Sequence, residues 1–395
     1  MKSIFKPFVL FFNSHRNSGV VLLLCVAISL IISNSNLSET YHNLLHQSYT
    51  FSSFTIAPIH YWVNEVLMSF FFLLVGLEIK RELLEGELTS FKKSSLPIFA
   101  AFGGMLFPAL FYLAFNYNSP TASGWGIPMA TDIAFAVAII AMLGKKVPVA
   151  LKVFLTALAI VDDLGAILII AVFYTQSIHW IYLLFAALTT IALIFLNKRG
   201  VNNIIGYLLL GIALWYFIYQ SGIHATIAGV ILAFCIPTNH SNQLSTLERL
   251  EKIITQPVTL FIMPLFALVN TNIIINTAAM NQLLSPVGLG ISAGLVLGKV
   301  IGISLFATIA IKLGWSKIPT HCNYKHIIGA GFLGGIGFTM SIFMALLSFD
   351  DITLQTTSKL AVLLASIISG IIGFVILKTS QDSAQTNELT KVQLK

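Results

Sequence analysis

The chain has 395 residues, of which 57% are hydrophobic and only 9% charged, with a formal net charge of +7. A soluble domain carries about 25% charged residues, so this composition excludes a water-facing globule and points to an integral membrane protein. Apolar runs of helical length exclude a barrel, whose strands would alternate over about ten residues. The basic residues sit between apolar runs, which assigns them to membrane orientation and not to nucleic acid.

In chain order the apolar runs are 19–33, 62–80, 97–115, 124–143, 150–174, 181–196, 204–219, 223–236, 257–270, 287–311, 327–347 and 359–377. This predicts twelve spans, several of them shorter than the roughly 20 residues a crossing helix needs. The first run follows "KPFVLFFNSHRNSG" and reads as a retained signal anchor. Loop 34–61, with "SYTFSSFTIAPIHYW", has the partial alternation of a small hairpin. Gln220-Ser221-Gly222 is predicted to be a turn, because fusing its two flanking runs would put the later basic loops on the wrong side. Residues 381–395 form a polar, Gln/Ser/Thr-rich tail.

The basic residues alternate with these spans. Lys2, Lys6 and Arg16 precede the first; Lys80, Arg81, Lys92, Lys93, Lys145, Lys146, Lys152, Lys198, Arg199, Arg249, Lys252, Lys312, Lys317 and Lys325 fall in every second connection; Lys378, Lys391 and Lys395 follow the last. The intervening loops carry no Lys or Arg, and only Lys299 and Lys359 stand outside the pattern. The expected arrangement therefore has both termini cytoplasmic. Cys25, Cys235 and Cys322 have no metal-binding spacing and read as small core residues.

Few ionisable residues remain at depth: Asp132, Asp162, Asp163 and Lys299, with Glu65 and Glu78 near the ends of the second run. Each charge at the bilayer centre costs about 2.5–3.5 kcal/mol on insertion scales. Such groups line an ion or proton pathway or form a structural salt bridge between helices, and three acids with one base favour the pathway. Adjacent carboxylates in "LTALAIVDDLGAILIIAVFY" repel each other and lose hydration, which favours holding a proton. A small hard cation prefers the same oxygens, so proton and cation compete. Neighbouring helical residues point about 100° apart, so one aspartate is expected to face a cavity and the other a neighbouring helix.

Two further stretches bear on that chemistry. In "GWGIPMATDIAFAVAIIAML" Pro128 and two glycines interrupt the fourth run just before Thr131 and Asp132. In "GAGFLGGIGFTMSIFMALL" Gly334, Gly335 and Gly337 interrupt the eleventh. Breaks at membrane depth need protein or water to satisfy the freed backbone. Their ends carry partial charges, which Asp132 could offset at the positive ends and Lys299 at the negative ones. A small-residue packing surface is the alternative for the eleventh run. The breaks occupy equivalent places in runs three to five and ten to twelve, the layout of inverted repeats with a site between discontinuous helices.

The strings "FFFLLVGLEIKREL", "ATDIAFA", "ALAIVDDLGAI", "GIHATIAGVILAF", "MPLFALVN", "GLVLGKVIGISLF" and "GGIGFTMSIF" resemble the NhaA-type bacterial sodium/proton antiporters in order along nearly the whole chain. The resemblance implies an all-α polytopic membrane protein of twelve transmembrane helices, with inverted repeats and two discontinuous helices (spans four and eleven). It implies one transporter domain over 1–380, repeats at about 95–175 and 287–378, and a cytoplasmic tail at 381–395. The implied activity is secondary exchange of intracellular sodium or lithium for external protons across the bacterial inner membrane, electrogenic and pH-regulated. No cofactor, enzyme activity or nucleic-acid partner is expected. Asp163 matches the principal cation-binding residue, Asp162 its partner, and Thr131 adds a hydroxyl ligand. Asp132 and Lys299 match the residues that balance the broken helix ends, and Lys299 alternatively pairs with Asp163 as a proton carrier. Glu78, Glu82, Glu251 and His224 match a pH-response set, which a solvated helix-end cluster with Lys80 and Arg81 would also explain. The loop 34–61 resembles a homodimer contact. Two features depart from the family pattern: Glu65 stands where an aspartate is common, and "LERLEKIITQP" lacks histidines beside Glu251. A channel, a cation-responsive sensor and, more weakly, an intramembrane aspartyl hydrolase remain the competing classes. No GxxxxGK[ST] loop is present, against an ATP-driven pump.

Overall fold

The computed structural model describes residues 5–51, 54–86, 88–175, 178–238 and 244–380; the tail 381–395 and Lys2 lie outside them. The described chain is helical apart from one hairpin. The helices, in order, are α1 (Phe5–Ser33), α2 (Ser38–His46), α3 (Ile59–Leu84), α4 (Phe91–Asn116), α5 (Ile133–Leu143), α6 (Val149–Phe173), α7 (Trp180–Lys198), α8 (Ile204–Gln220), α9 (Ile227–Cys235), α10 (Thr246–Asn270), α11 (Thr277–Gln282), α12 (Pro286–Lys312), α13 (Tyr324–Gly334), α14 (Phe338–Ser348) and α15 (Ile352–Thr379). Among the described residues eight helices are long and apolar enough to cross a membrane, and up to ten if each of two bent pairs is one span. The chain is a polytopic membrane protein. The 17-residue α8 and the nine-residue α9 fall short of that length; at about 1.5 Å per residue α9 reaches only about 14 Å. The predicted span 223–236 is therefore mostly not α-helix at its start, where residues 223–226 form turns.

The expected turn between α8 and α9 is present. Ser221 ends α8, and Gly222 takes φ +86°, open to glycine without the Cβ penalty. The hairpin expected in 34–61 is also present: β1 (Tyr49–Phe51) pairs antiparallel with β2 (Phe54–Ile56), Thr50 opposite Thr55. The preceding α2 was not expected from the sequence, whose short polar run carries no long apolar signal.

The chain divides into two compact units. One comprises 21–86 and 167–275. Here α9 lies against α3 so closely that a Cβ on Gly229 would stand 2.3 Å from the Ser69 carbonyl oxygen. Leu73, Leu77, Leu193, Tyr207, Leu214 and Leu232 form its core.

The other unit comprises 1–20, 87–166 and 276–395. Its tightest pairing is α4 with α12. A Cβ on Gly302 would lie 2.0 Å from the Gly103 carbonyl oxygen, and one on Gly298 would lie 2.8 Å from Pro108 Cα. Lipid tails are as apolar as leucine, so helices in a membrane associate through close backbone approach at small residues. A π turn at Gly294–Gly298 precedes Lys299 within α12; such insertions often occur at functional sites. The fourth apolar run folds as a ten-residue 3₁₀ helix, Pro120–Met129, then an extended step at Ala130 and then α5. The eleventh stops at Gly334 and resumes at Phe338 with a 45° bend.

The glycine seam makes a testable prediction. Gly302→Leu should destabilise the protein by about 2 kcal/mol or more, because backbone faces the added side chain. Gly206→Ala, with nothing within 4 Å of the new Cβ, should stabilise by about 0.5–1 kcal/mol. Monodisperse protein remaining after a heating series in detergent measures both.

Candidate functional site

The two interrupted segments meet at Asp132. Its Oδ1 accepts from the Phe135 amide at 3.1 Å, capping α5. Its Oδ2 accepts from the Thr339 amide at 3.0 Å and the Thr339 hydroxyl at 2.5 Å, in the first turn of α14. The Asp132 amide donates to the Ile336 carbonyl at 2.6 Å. A single carboxylate thus satisfies donors at two helix N-termini, where the helix dipoles favour negative charge. Thr339 was missed in the sequence, although a hydroxyl two residues past Gly337 was the available signal.

Lys299 is placed differently from the expectation that it offsets a negative helix end. Its ammonium is fully buried and donates to Asp162 Oδ2 at 2.5 Å and to Thr131 Oγ1 at 2.9 Å. The π turn and the α4–α12 seam set the height and approach of α12, which bring this side chain to α6 and to the extended step before α5. Thr131 Oγ1 lies 2.8 Å from both Asp162 Oδ2 and the Gly334 carbonyl at the end of α13. Its one proton serves either acceptor. Lys299 therefore reaches the broken end only through Thr131, and its ion pair is with Asp162 and not with Asp163. The physical reason is the roughly 100° between neighbouring helical side chains: one acid of the pair meets α12.

Asp162 and Asp163 are both buried, at 0% and 1% exposure, which means neither charge is screened by bulk water. Asp162 Oδ1 has no hydrogen-bond partner among the described residues. A buried carboxylate oxygen in that state is a ready acceptor for a cation or a proton. Among the described residues no group of three or more His, Cys, Asp or Glu has metal-site geometry.

The residues matched to pH response belong to the other unit. Arg81 Nε lies 3.1 Å from Glu251 Oε2, and Arg81 Nη2 lies 3.5 Å from Glu82 Oε1. Glu78 stands one residue pair before this cluster on α3 and is partly buried. Lys80 leaves the group and caps the end of α9, donating to the Phe234 carbonyl at 2.8 Å and to the Ile236 carbonyl. His224 Nε2 is 2.8 Å from the Tyr174 carbonyl, so that nitrogen carries the proton and donates. Arg81 is the member that sequence reasoning undervalued: it joins α3 to α10 through Glu251, across about 170 positions of sequence.

Comparison with known proteins identifies the family. The family model described as "Na+/H+ antiporter 1" matches residues 10–377. The Flavobacterium johnsoniae protein named Na(+)/H(+) antiporter NhaA 2 is 49% identical over 384 residues, which is 96% of this chain and 94% of that protein. A second protein of that organism, named Na(+)/H(+) antiporter NhaA 1, is 50% identical over 373 residues, 94% of this chain and 97% of its own. The Dechloromonas aromatica protein named Na(+)/H(+) antiporter NhaA is 46% identical over 382 residues, 96% and 97% of the two chains. The chain belongs to the Na+/H+ antiporter family of the NhaA type.

Proposed function

We propose that this protein is a secondary transporter that exchanges intracellular sodium, or lithium, for external protons by alternating access. The observation that carries the reading is the buried group of Lys299, Asp162 and Thr131 beside Asp163. In this state Lys299 occupies Asp162 Oδ2 with an ammonium proton. An alkali ion held by Asp162, Asp163 and the Thr131 hydroxyl would repel the adjacent ammonium and displace it. One proton then leaves from the displaced lysine and one from Asp163, both to water on the cytoplasmic side, as the cation takes the carboxylate oxygens. Two protons for one cation make the exchange electrogenic. Asp132 holds both half-helix ends together while the surrounding segments rearrange.

The same reading covers the membrane arrangement. Ten spans, counting each bent pair once, together with the shorter α8 and α9, give twelve; the interruptions before α5 and between α13 and α14 are the two discontinuous ones, within inverted repeats at about 95–175 and 287–378. Lys and Arg alternation puts both termini in the cytoplasm of a cell whose inner membrane holds the protein. The hairpin β1–β2 is the proposed homodimer contact. Glu78, Glu82, Glu251 and His224 are the proposed pH-response set, with Arg81 as the charge that couples α3 to α10.

The direct test is sodium-dependent collapse of a pH gradient in everted membrane vesicles. Sodium should discharge the gradient with the native chain, and Asp163→Asn should reduce the response to that of vesicles lacking the protein. A sodium current with no proton counter-movement would contradict antiport. Thr131→Val should raise the half-saturating sodium about tenfold or more, the size of a hydrogen bond or ligand contact to a charged group. Thr131→Ser, which keeps the hydroxyl, should stay close to the native value.

A further inference from the structure

A second lysine lies at membrane depth, and the site described above does not use it. Lys359 stands on α15 seven residues after its start, partly buried, with no ion pair or hydrogen bond to any described residue. Along with Lys299 it is the only base that breaks the alternation of loops with and without Lys or Arg.

Its surroundings define what it faces. Gln355, Lys359, Ser366 and Ser369 follow one another at spacings of four, seven and three, which puts them on one side of α15. Gln355 Nε2 donates to the Phe349 carbonyl at 2.6 Å, at the end of α14. Ser366 Oγ accepts from the Gly337 amide at 3.2 Å, at the start of α14. The stripe therefore runs the length of α14, and Lys359 lies between its two ends. The hydroxyls of Ser341, Ser358 and Ser369 are buried at 0% exposure and have no hydrogen-bond partner among the described residues. A Cβ on Gly335 would stand 2.9 Å from Ser369 Oγ, and one on Gly337 would stand 2.1 Å from Ser341 Oγ, so two of these hydroxyls flank the interruption that holds Asp132. Buried polar groups of this kind bind water. A line of polar side chains thus runs from the Asp350-Asp351 end of α15, past Lys359, to the break, a candidate track for ions.

We propose that Lys359 is a positioning charge on this track, which lowers the alkali-cation affinity of the site when it opens toward the beginning of α15, so that sodium is discharged on that side and not recaptured. The inference rests on the alternating-access reading. A cation moving along the track meets a fixed positive charge about 10 Å from the break, counted as seven residues of helix. A proton moves by exchange between waters and hydroxyls, and no intact cation has to pass. Between bulk water and an effective dielectric near 20, a unit charge at that distance changes cation affinity by about two- to fifteenfold. A purely structural role is the competing explanation, in which the ammonium complements the partial negative charge at the C-terminus of α14.

The test uses the full chain in proteoliposomes of one orientation, read from the accessibility of a C-terminal tag. Exchange of ²²Na⁺ for sodium is measured at equal pH on both faces, with sodium varied on one face at a time. The native protein should require more sodium for half-saturation on the face where α15 begins. Lys359→Gln and Lys359→Met, the latter keeping the apolar stem, should lower that value about two- to fifteenfold and leave the opposite face within twofold. Lys359→Arg should retain the native asymmetry. Equal native affinities on the two faces would overturn the proposal without any variant. So would a shift of equal size on both faces, no shift at all, or an arginine variant that behaves like the glutamine one; these are the results of a structural role. If neither neutral variant is recovered in folded form, the native and arginine measurements still decide. Absence of sodium exchange in the native protein would defeat the antiport reading itself, and this proposal with it.

Discussion

The ion pair between Lys299 and Asp162 is the contact on which the rest of the site depends. Both groups are wholly buried, and a charge without compensation at such depth is costly. The pair is tolerable only with Thr131 bridging it to the end of α13 and with α12 held at the right height. That height comes from two unrelated features of sequence: glycines that let α4 and α12 touch backbone to backbone, and one extra residue per turn just before Lys299. A modest change in either moves the ammonium away from its acid.

Interrupted helices serve the same end. An unbroken helix hides its backbone groups, whereas a broken one presents them. Here Asp132 gathers the exposed amides of two half-helices, and the Thr131 hydroxyl meets the exposed carbonyl of a third segment. Positive and negative ends are thereby neutralised by side chains that are already present, with Asp162 Oδ1 left over. An acceptor of this kind, in low dielectric and next to a displaceable ammonium, is suited to binding one small cation at a time. Its chemistry explains why a transporter would retain an arrangement that packing alone would not favour.

Much of this was legible in the sequence, for physical reasons that can be named. Charges are so rare in the apolar runs that Asp132, Asp162, Asp163 and Lys299 identify themselves. The glycines and Pro128 mark the interruptions because together they weaken helix formation there, and Gly222 marks the turn before α9. What was not legible is what depends on the third dimension. Adjacent aspartates are equivalent on paper, so the choice of Asp162 as the partner of Lys299 needed the rotation of α6. The π turn at Gly294–Gly298 leaves no compositional mark distinct from any glycine pair. The 3₁₀ form of Pro120–Met129 was hidden because an apolar run reads alike in either helix. The Arg81–Glu251 bridge joins segments with no local signal linking them.

Sodium binding measured by calorimetry in buffers of different protonation enthalpy tests the central claim most directly. If alkali ion and protons exchange on the oxygens of Asp162 and Asp163, with Lys299 releasing its hold, each sodium bound should liberate more than one proton and affinity should fall as pH falls. Binding that is equally tight at every pH, with no proton liberated, would contradict the account.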